Sequence, residues 1–189
     1  MLLRKCVHSL GSLVLVIAAV YGLSAAQTVI AVMTALYLAS EYLRLSGRSL
    51  PMFTWLTSRA SSKAEQEGIV DAPIWFALGA LITLTFFPFE HAVVGVLTLT
   101  IGDPTASIVG LLTKDRHMIP FNTSKSMEGT IAGFCVSTLA CLLFVEPVTA
   151  ITGCAGGMLA EALPLKLNDN FTVPIAAVLM ISVLKTVLI

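Results

Sequence analysis

Long apolar stretches recur along the whole chain, at roughly 7–24, 26–45, 71–88, 90–112, 128–145, 147–163 and 171–189. About 20 predominantly apolar residues are what a helix needs to cross the hydrocarbon core of a bilayer. Each stretch therefore reads as a transmembrane helix. Charged residues make up only 12% of the 189 residues while 57% are hydrophobic, roughly half the charged share of an ordinary soluble domain. The mean hydropathy is +0.92, and a water-soluble globule cannot hide that much apolar surface. The expected fold is all-α, a polytopic membrane protein of about seven transmembrane helices, with residues 1–189 forming a single integral-membrane domain.

The charges set the orientation. Eleven Lys and Arg balance eleven Asp and Glu, so no broad basic field exists to attract nucleic acid. In a seven-span layout Arg4, Lys5, Arg44, Arg48, Arg59, Lys63, Lys114, Arg116, Lys125 and Lys166 all fall on one side, which the positive-inside rule makes the cytoplasm. The N-terminus is then cytoplasmic and the C-terminus is outside. Arg4 and Lys5 followed by an apolar run ending in Ser24, Ala25 and Ala26 imitate a secretory leader. The later spans make the first helix its own insertion signal instead. Segment 50–57 has the look of an interfacial amphipathic helix beginning near Pro51. Cys6, Cys135, Cys141 and Cys154 form no CxxC pair and read as packing residues.

Polar residues inside the apolar stretches carry the chemistry. Ile101-Gly102-Asp103-Pro104-Thr105-Ala106-Ser107 puts a carboxylate and a proline within the fourth span. Proline lacks an N–H and disfavours helical geometry in the residue before it. The span is expected to break there and restart with Asp103 as N-cap, its free N–H groups facing a polar cavity. Asp103 and Ser107 would share a face of the second half-helix. Intramembrane ionisable groups are costly and usually functional, and a carboxylate beside a helix N-terminus suits Mg²⁺ bound to phosphate.

Thr123-Ser124-Lys125-Ser126-Met127-Glu128-Gly129-Thr130 leads into the fifth span. Ser126 is placed as N-cap, Glu128 in the first turn, and Lys125 beside the free N–H groups. This is either a phosphate-sized anion site or a capped helix with a positive-inside lysine. Glu161 ends the sixth span, and Asn168-Asp169-Asn170 precedes the seventh. The last three either cap that helix, or Asp169 joins Glu161 on a cation or a hydroxyl proton. Arg4, Lys5 and His8 stack on span one and Glu41 with Arg44 on span two, the latter as a local ion pair or as a substrate contact. These polar groups all lie toward one membrane face. Gly153 and Gly157 form a GxxxG pair serving either intrachain packing or a homodimer seam.

Over nearly its whole length the chain resembles the dolichol kinase, phytol kinase and farnesol kinase family. The resemblance rests on Arg4-Lys5-Cys6-Val7-His8, Glu41-Tyr42-Leu43-Arg44, Gly102-Asp103-Pro104-Thr105-Ala106-Ser107, Lys125-Ser126-Met127-Glu128-Gly129-Thr130 with Gly133-Phe134, Glu161-Ala-Leu-Pro164 and Asp169-Asn170-Phe-Thr-Val173-Pro174. It departs at Asn168, where the family often has a second aspartate, and at Leu111 to His117, where it often has a glycine turn. The resemblance implies transfer of the γ-phosphoryl of CTP to a long-chain isoprenoid alcohol at the cytoplasmic face. It implies Asp103, Glu128, Glu161 and Asp169 as catalytic groups, with Mg²⁺ or another divalent cation on Asp103 and Asp169. Gly102, Ser107, Lys125, Ser126, Gly129, Thr130 and Asn170 fall to the nucleotide, and Arg4, Lys5, His8, Glu41 and Arg44 to substrate or structure. CTP-dependent diacylglycerol kinases look alike over the same motifs, and phosphatidate cytidylyltransferases more distantly. The alternative from another class is a small ion or lipid transporter, since broken helices also build ion sites. A transporter needs polar groups continuing to the far side, and the outer halves of these spans carry almost none.

Overall fold

The computed structural model describes residues 2–188, with side chains from residue 3 to residue 187. Every apolar stretch holds a helix. The order is α1 Leu2–Leu10, α2 Leu13–Tyr21, α3 Leu23–Leu45, α4 Pro51–Ala60, a 3₁₀ turn Glu65–Glu67, α5 Ala72–Phe86, and α6 Phe89–Leu97. There follow a π turn Thr98–Gly102, α7 Asp103–Leu112, the strands β1 Met118–Ile119 and β2 Asn122–Ser126, then α8 Met127–Cys141, α9 Pro147–Ala162 and α10 Asp169–Leu188. Prolines stand in the first turn of α4, α5 and α9, where a missing N–H costs no helical hydrogen bond.

Among the described residues, four helices are long and apolar enough to cross a membrane: Leu3–Tyr21, Leu23–Leu45, Phe89–Leu112 and Asp169–Val187. The helices in the other three expected spans have 15, 15 and 16 residues. At 1.5 Å per residue they reach about 22–24 Å, short of a hydrocarbon core of about 30 Å. Hydropathy marks an apolar stretch but not where caps and prolines stop its helix. The segment near Pro51 forms α4 with Pro51 in its first turn, and the Thr113–Met127 connection folds into an antiparallel hairpin of β1 on β2.

Phe89–Leu112 is the axis of the fold, 72% buried over its apolar window against 17% for each of the first two spans. Between helices already in lipid, association rests on close packing, and small residues permit it. A Cβ on Gly153 would meet Val94 at 2.5 Å and Ile181 at 2.7 Å, and one on Gly157 would meet Thr98 at 2.7 Å. The GxxxG pair thus packs α9 onto α6, the π turn and α10 within the chain. On α8 a Cβ at Gly133 would stand 2.7 Å from the Gly102 carbonyl. Where Pro174 interrupts α10, Gly79 lets α5 approach, since a Cβ there would be 2.7 Å from the carbonyl of Asn170. Cys141 and Cys154 are buried with their sulfurs 3.6 Å apart, whereas Cys6 and Cys135 are exposed.

The expected break at Pro104 does not occur. Asp103 has φ −60° and ψ −46°, fully helical, and its N–H bonds to the carbonyl of Thr98 five residues back. Asp103 is therefore no N-cap, and its N–H is not free to face a cavity. The π turn supplies the extra residue that lets the helix pass the proline ring without ending. The device leaves one orphan: the Leu99 carbonyl would be paired by the N–H of residue 104, which proline lacks.

Candidate active site

The axial helix brings Asp103 to the first helix. Asp103 is 4% exposed, and its carboxylate accepts a hydrogen bond from Lys5 Nζ at 2.8 Å, with His8 Nε2 at 3.8 Å. The same His8 nitrogen lies 2.9 Å from the orphaned carbonyl oxygen of Leu99. As the Nε2–H tautomer it provides the donor that Pro104 cannot. The i, i+3 spacing on α1 thus puts both Lys5 and His8 onto the turn preceding Pro104.

A second ionic group sits where the hairpin, α9 and α10 meet. Lys125 Nζ on β2 donates to Glu161 Oε1 at 2.6 Å and to Asp169 Oδ2 at 2.7 Å, while Thr130 Oγ1 donates to Glu161 Oε2 at 3.3 Å. The Glu161 side chain is 2% exposed and that of Asp169 33%, so one carboxylate is closed off and the other is accessible. Burial disfavours the Lys125 ammonium, but the adjacent carboxylates outweigh it and hold its pKa above the ordinary lysine value. Within this group one ammonium faces two carboxylates, leaving an excess negative charge suited to a cation.

The remaining candidates support this centre. Ser126 is the N-cap of α8, its hydroxyl accepting from Gly129 N at 3.2 Å, and Met127 N donates to the His117 carbonyl at 2.9 Å. Two N–H groups at this helix start are thus already used within the chain. Glu128 does not join Lys125; it binds the backbone N–H and ring Nδ1 of His117, the latter at 2.6 Å, closing the hairpin onto α8. Gly129 and Gly102 are buried at the α7–α8 seam, and Ser107 is half-buried one turn after Asp103. Asn170 donates to the Ala72 carbonyl at 2.9 Å, fixing α10 to α5, while Asn168 Oδ1 accepts from Asn170 N at 3.0 Å and caps α10.

Glu41 and Arg44 lie apart from the centre. Their pairing is bidentate, at 3.0 and 2.8 Å, and Arg44 also donates to the carbonyls of Gln66 and Gly68. Glu41 accepts from Val70 N at 3.0 Å. The pair staples the end of α3 to the segment before α5. Arg4 parts from Lys5 and His8 and binds Glu65 at 2.9 Å. The partners Leu99, Glu65 and His117 carry no sequence signal, since each meets its residue only through tertiary packing.

The chain is 33% identical over 72 residues to a CTP-dependent diacylglycerol kinase 1 of Eremothecium gossypii, covering 38% of this chain and 22% of that one. It is 24% identical over 175 residues to the protein of the same description in Saccharomyces cerevisiae, covering 77% of this chain and 60% of that one. The similarity is weak but extends along the chain. The chain spans at most about three-fifths of the length of these relatives. No family model matches it, and no solved structure matches it significantly.

No cluster of three or more His, Cys, Asp or Glu side chains forms a ready metal cage among the described residues. Mg²⁺ in phosphoryl-transfer sites usually takes one or two carboxylates together with substrate phosphates and water. Asp103 and Asp169 are hard oxygen donors of that kind, and each already holds an ammonium ion. The donor set fits.

Proposed function

We propose that this chain is a CTP-dependent lipid kinase that phosphorylates the hydroxyl of a membrane lipid alcohol at the cytoplasmic face. The observation that carries the reading is Lys125 held between buried Glu161 and accessible Asp169. Such a centre can accept a proton and attract a cation that would neutralise a triphosphate, which is most of what phosphoryl transfer asks of a protein. Weak similarity to two proteins described as CTP-dependent diacylglycerol kinases supports the reaction class.

In this mechanism Lys125 and Thr130 meet the phosphate oxygens, and Asp169, the more exposed carboxylate, takes the proton of the acceptor hydroxyl. The hydroxyl oxygen bonds to the γ-phosphorus as the bond from phosphorus to the β,γ-bridging oxygen breaks, and CDP leaves. Asp103 would hold Mg²⁺, which when bound would supply charge neutralisation at the phosphates. Lys5 and His8 fix Asp103. The charge asymmetry of the loops supports a seven-span layout that opens this centre to cytoplasmic nucleotide.

The acceptor we propose is an isoprenoid alcohol, the acceptor implied by the resemblance to the dolichol and phytol kinases. Diacylglycerol is the second reading, favoured by the relatives' own descriptions. Purified full-length protein in vesicles is given CTP labelled at the α- or γ-position with polyprenol or diacylglycerol. The proposal requires γ-label in lipid with CDP released, and the labelled lipid identifies the acceptor. Entry of α-label with pyrophosphate release would make the protein a cytidylyltransferase, and no transfer with either lipid would return the transporter.

A further inference from the structure

A cavity of about 550 Å³ lies between the first two helices, α3, α4 and α5. Its wall is apolar, with Val7, Ile30, Phe53, Leu56 and Phe76 among its lining side chains. The polar groups it contains are already engaged. Tyr37 Oη donates to the Val70 carbonyl at 2.7 Å, Thr34 Oγ1 to the Ile30 carbonyl at 2.7 Å, and Arg4 to Glu65. A sugar, a nucleotide or a chain of waters would find few hydrogen-bond partners there, whereas hydrocarbon needs none.

Two further observations choose the occupant. Leu10, Leu13 and Met33 line the cavity and are also 60%, 54% and 47% exposed, so the cavity has a mouth on a surface that a bilayer would bathe. It is also lined by His8 and Asn170. His8 packs edge-on against Phe76 with ring centroids 5.3 Å apart and lies 3.8 Å from Asp103. Asn170 follows Asp169 in sequence. One wall therefore separates hydrocarbon from the ionic centre.

We infer that this cavity binds one hydrocarbon chain of the lipid alcohol, entering between the first two helices and α3, with the hydroxyl-bearing end at His8 and Asn170. The inference rests on the lipid-kinase reading for the identity of the lipid, but the binding it describes can be measured without turnover. The volume falls within the range of about 300–1,000 Å³ usual for small-ligand pockets, so a longer chain leaves its remainder in the bilayer.

The test uses full-length protein in phosphatidylcholine vesicles with polyprenol or diacylglycerol carrying a diazirine on the chain. Photolabelling should concentrate on the α3 and α5 peptides containing Thr34 and Phe76, and unlabelled lipid of the same class should compete it away. The class that competes names the source of the chain. In parallel, Thr34→Trp, which fills the cavity, should cut the saturable label and raise KM for a long-chain acceptor by about tenfold, with kcat little changed, because it removes binding and not chemistry. Label that is not competed and spreads equally to exposed Leu139 and Leu143 overturns the cavity, whether or not phosphate is transferred. Competed label at Thr34 and Phe76 without any transfer leaves the cavity standing and removes the kinase reading instead. A folded Thr34→Trp protein with unchanged label also overturns it; should that variant fail to fold, labelling of the unsubstituted protein decides.

Discussion

His8 Nε2 lies 2.9 Å from the carbonyl oxygen of Leu99, a residue 91 positions away in the chain. This contact lets a proline remain within the axial helix, because it satisfies the one carbonyl that Pro104 leaves without a partner. His8→Ala should therefore destabilise the protein by about 1–3 kcal/mol, the cost of an unsatisfied buried acceptor. His8→Gln, which keeps an N–H donor, should recover part of the loss. Thermal unfolding in detergent measures both, and an alanine variant as stable as the parent would show that the contact holds nothing.

Lys125 and Glu161 make the second test. Removing one member of a buried ion pair leaves a naked charge and typically costs about 3–5 kcal/mol. Lys125→Ala should approach that, since the Glu161 side chain is 2% exposed. Adding Glu161→Gln should restore stability but not activity. Strictly additive losses in the double variant would mean that the two side chains are not coupled.

The pH dependence has a defined sign at each end. The pKa of Lys125 is raised, so its contribution to stability is complete below the ordinary lysine value of 10.5 and is lost only as pH rises through the higher folded value. The Glu65 carboxyl is held below its ordinary 4.5 by hydrogen bonds at Ser62 and by Arg4. Its contribution is present above 4.5 and lost as pH falls through the lower folded value. Stability should thus show no step from Lys125 between neutral pH and 10.5, and release of the Arg4–Glu65 tie only on the acid side. A Lys125-dependent transition near neutrality, revealed by comparison with Lys125→Arg, would contradict this.

Gly133 is predicted to tolerate no side chain. Its Cβ would stand 2.7 Å from both the Gly102 carbonyl and the Met158 Cε, and overpacking of this kind costs about 1–3 kcal/mol. Gly68→Ala, with nothing within 4 Å of the added carbon, serves as the control. Equal melting temperatures for the two variants would remove the α7–α8 seam from the account.

The charge asymmetry predicts that Lys63, exposed in the segment between α4 and the 3₁₀ turn, faces the cytoplasm. In a protein lacking its native cysteines, Lys63→Cys should react with impermeant thiol reagents only when the cytoplasmic side is open. Labelling solely from the outside would invert the layout and move the ionic centre away from nucleotide.

The positions of the helices were legible because a helix satisfies its own backbone in lipid, so hydropathy, prolines and caps such as Ser126 are local signals that act without a partner. The same logic flagged Asp103 and Glu161, whose charges are costly in apolar surroundings wherever they lie, while Lys125 and Asp169 were marked by their places at helix starts. Local rules failed at Pro104, where a break was expected. Whether a helix stops at a proline or absorbs it depends on what can pair the freed carbonyl, and here the partner is His8 on another helix. Tertiary structure alone likewise sent Glu128 to His117, paired Arg4 with Glu65, made Glu41–Arg44 a staple and opened the cavity beside His8. Sequence determines which groups must find a partner, because desolvation is charged to each residue individually; which partner each one finds is decided by the helix packing that brings distant residues within reach.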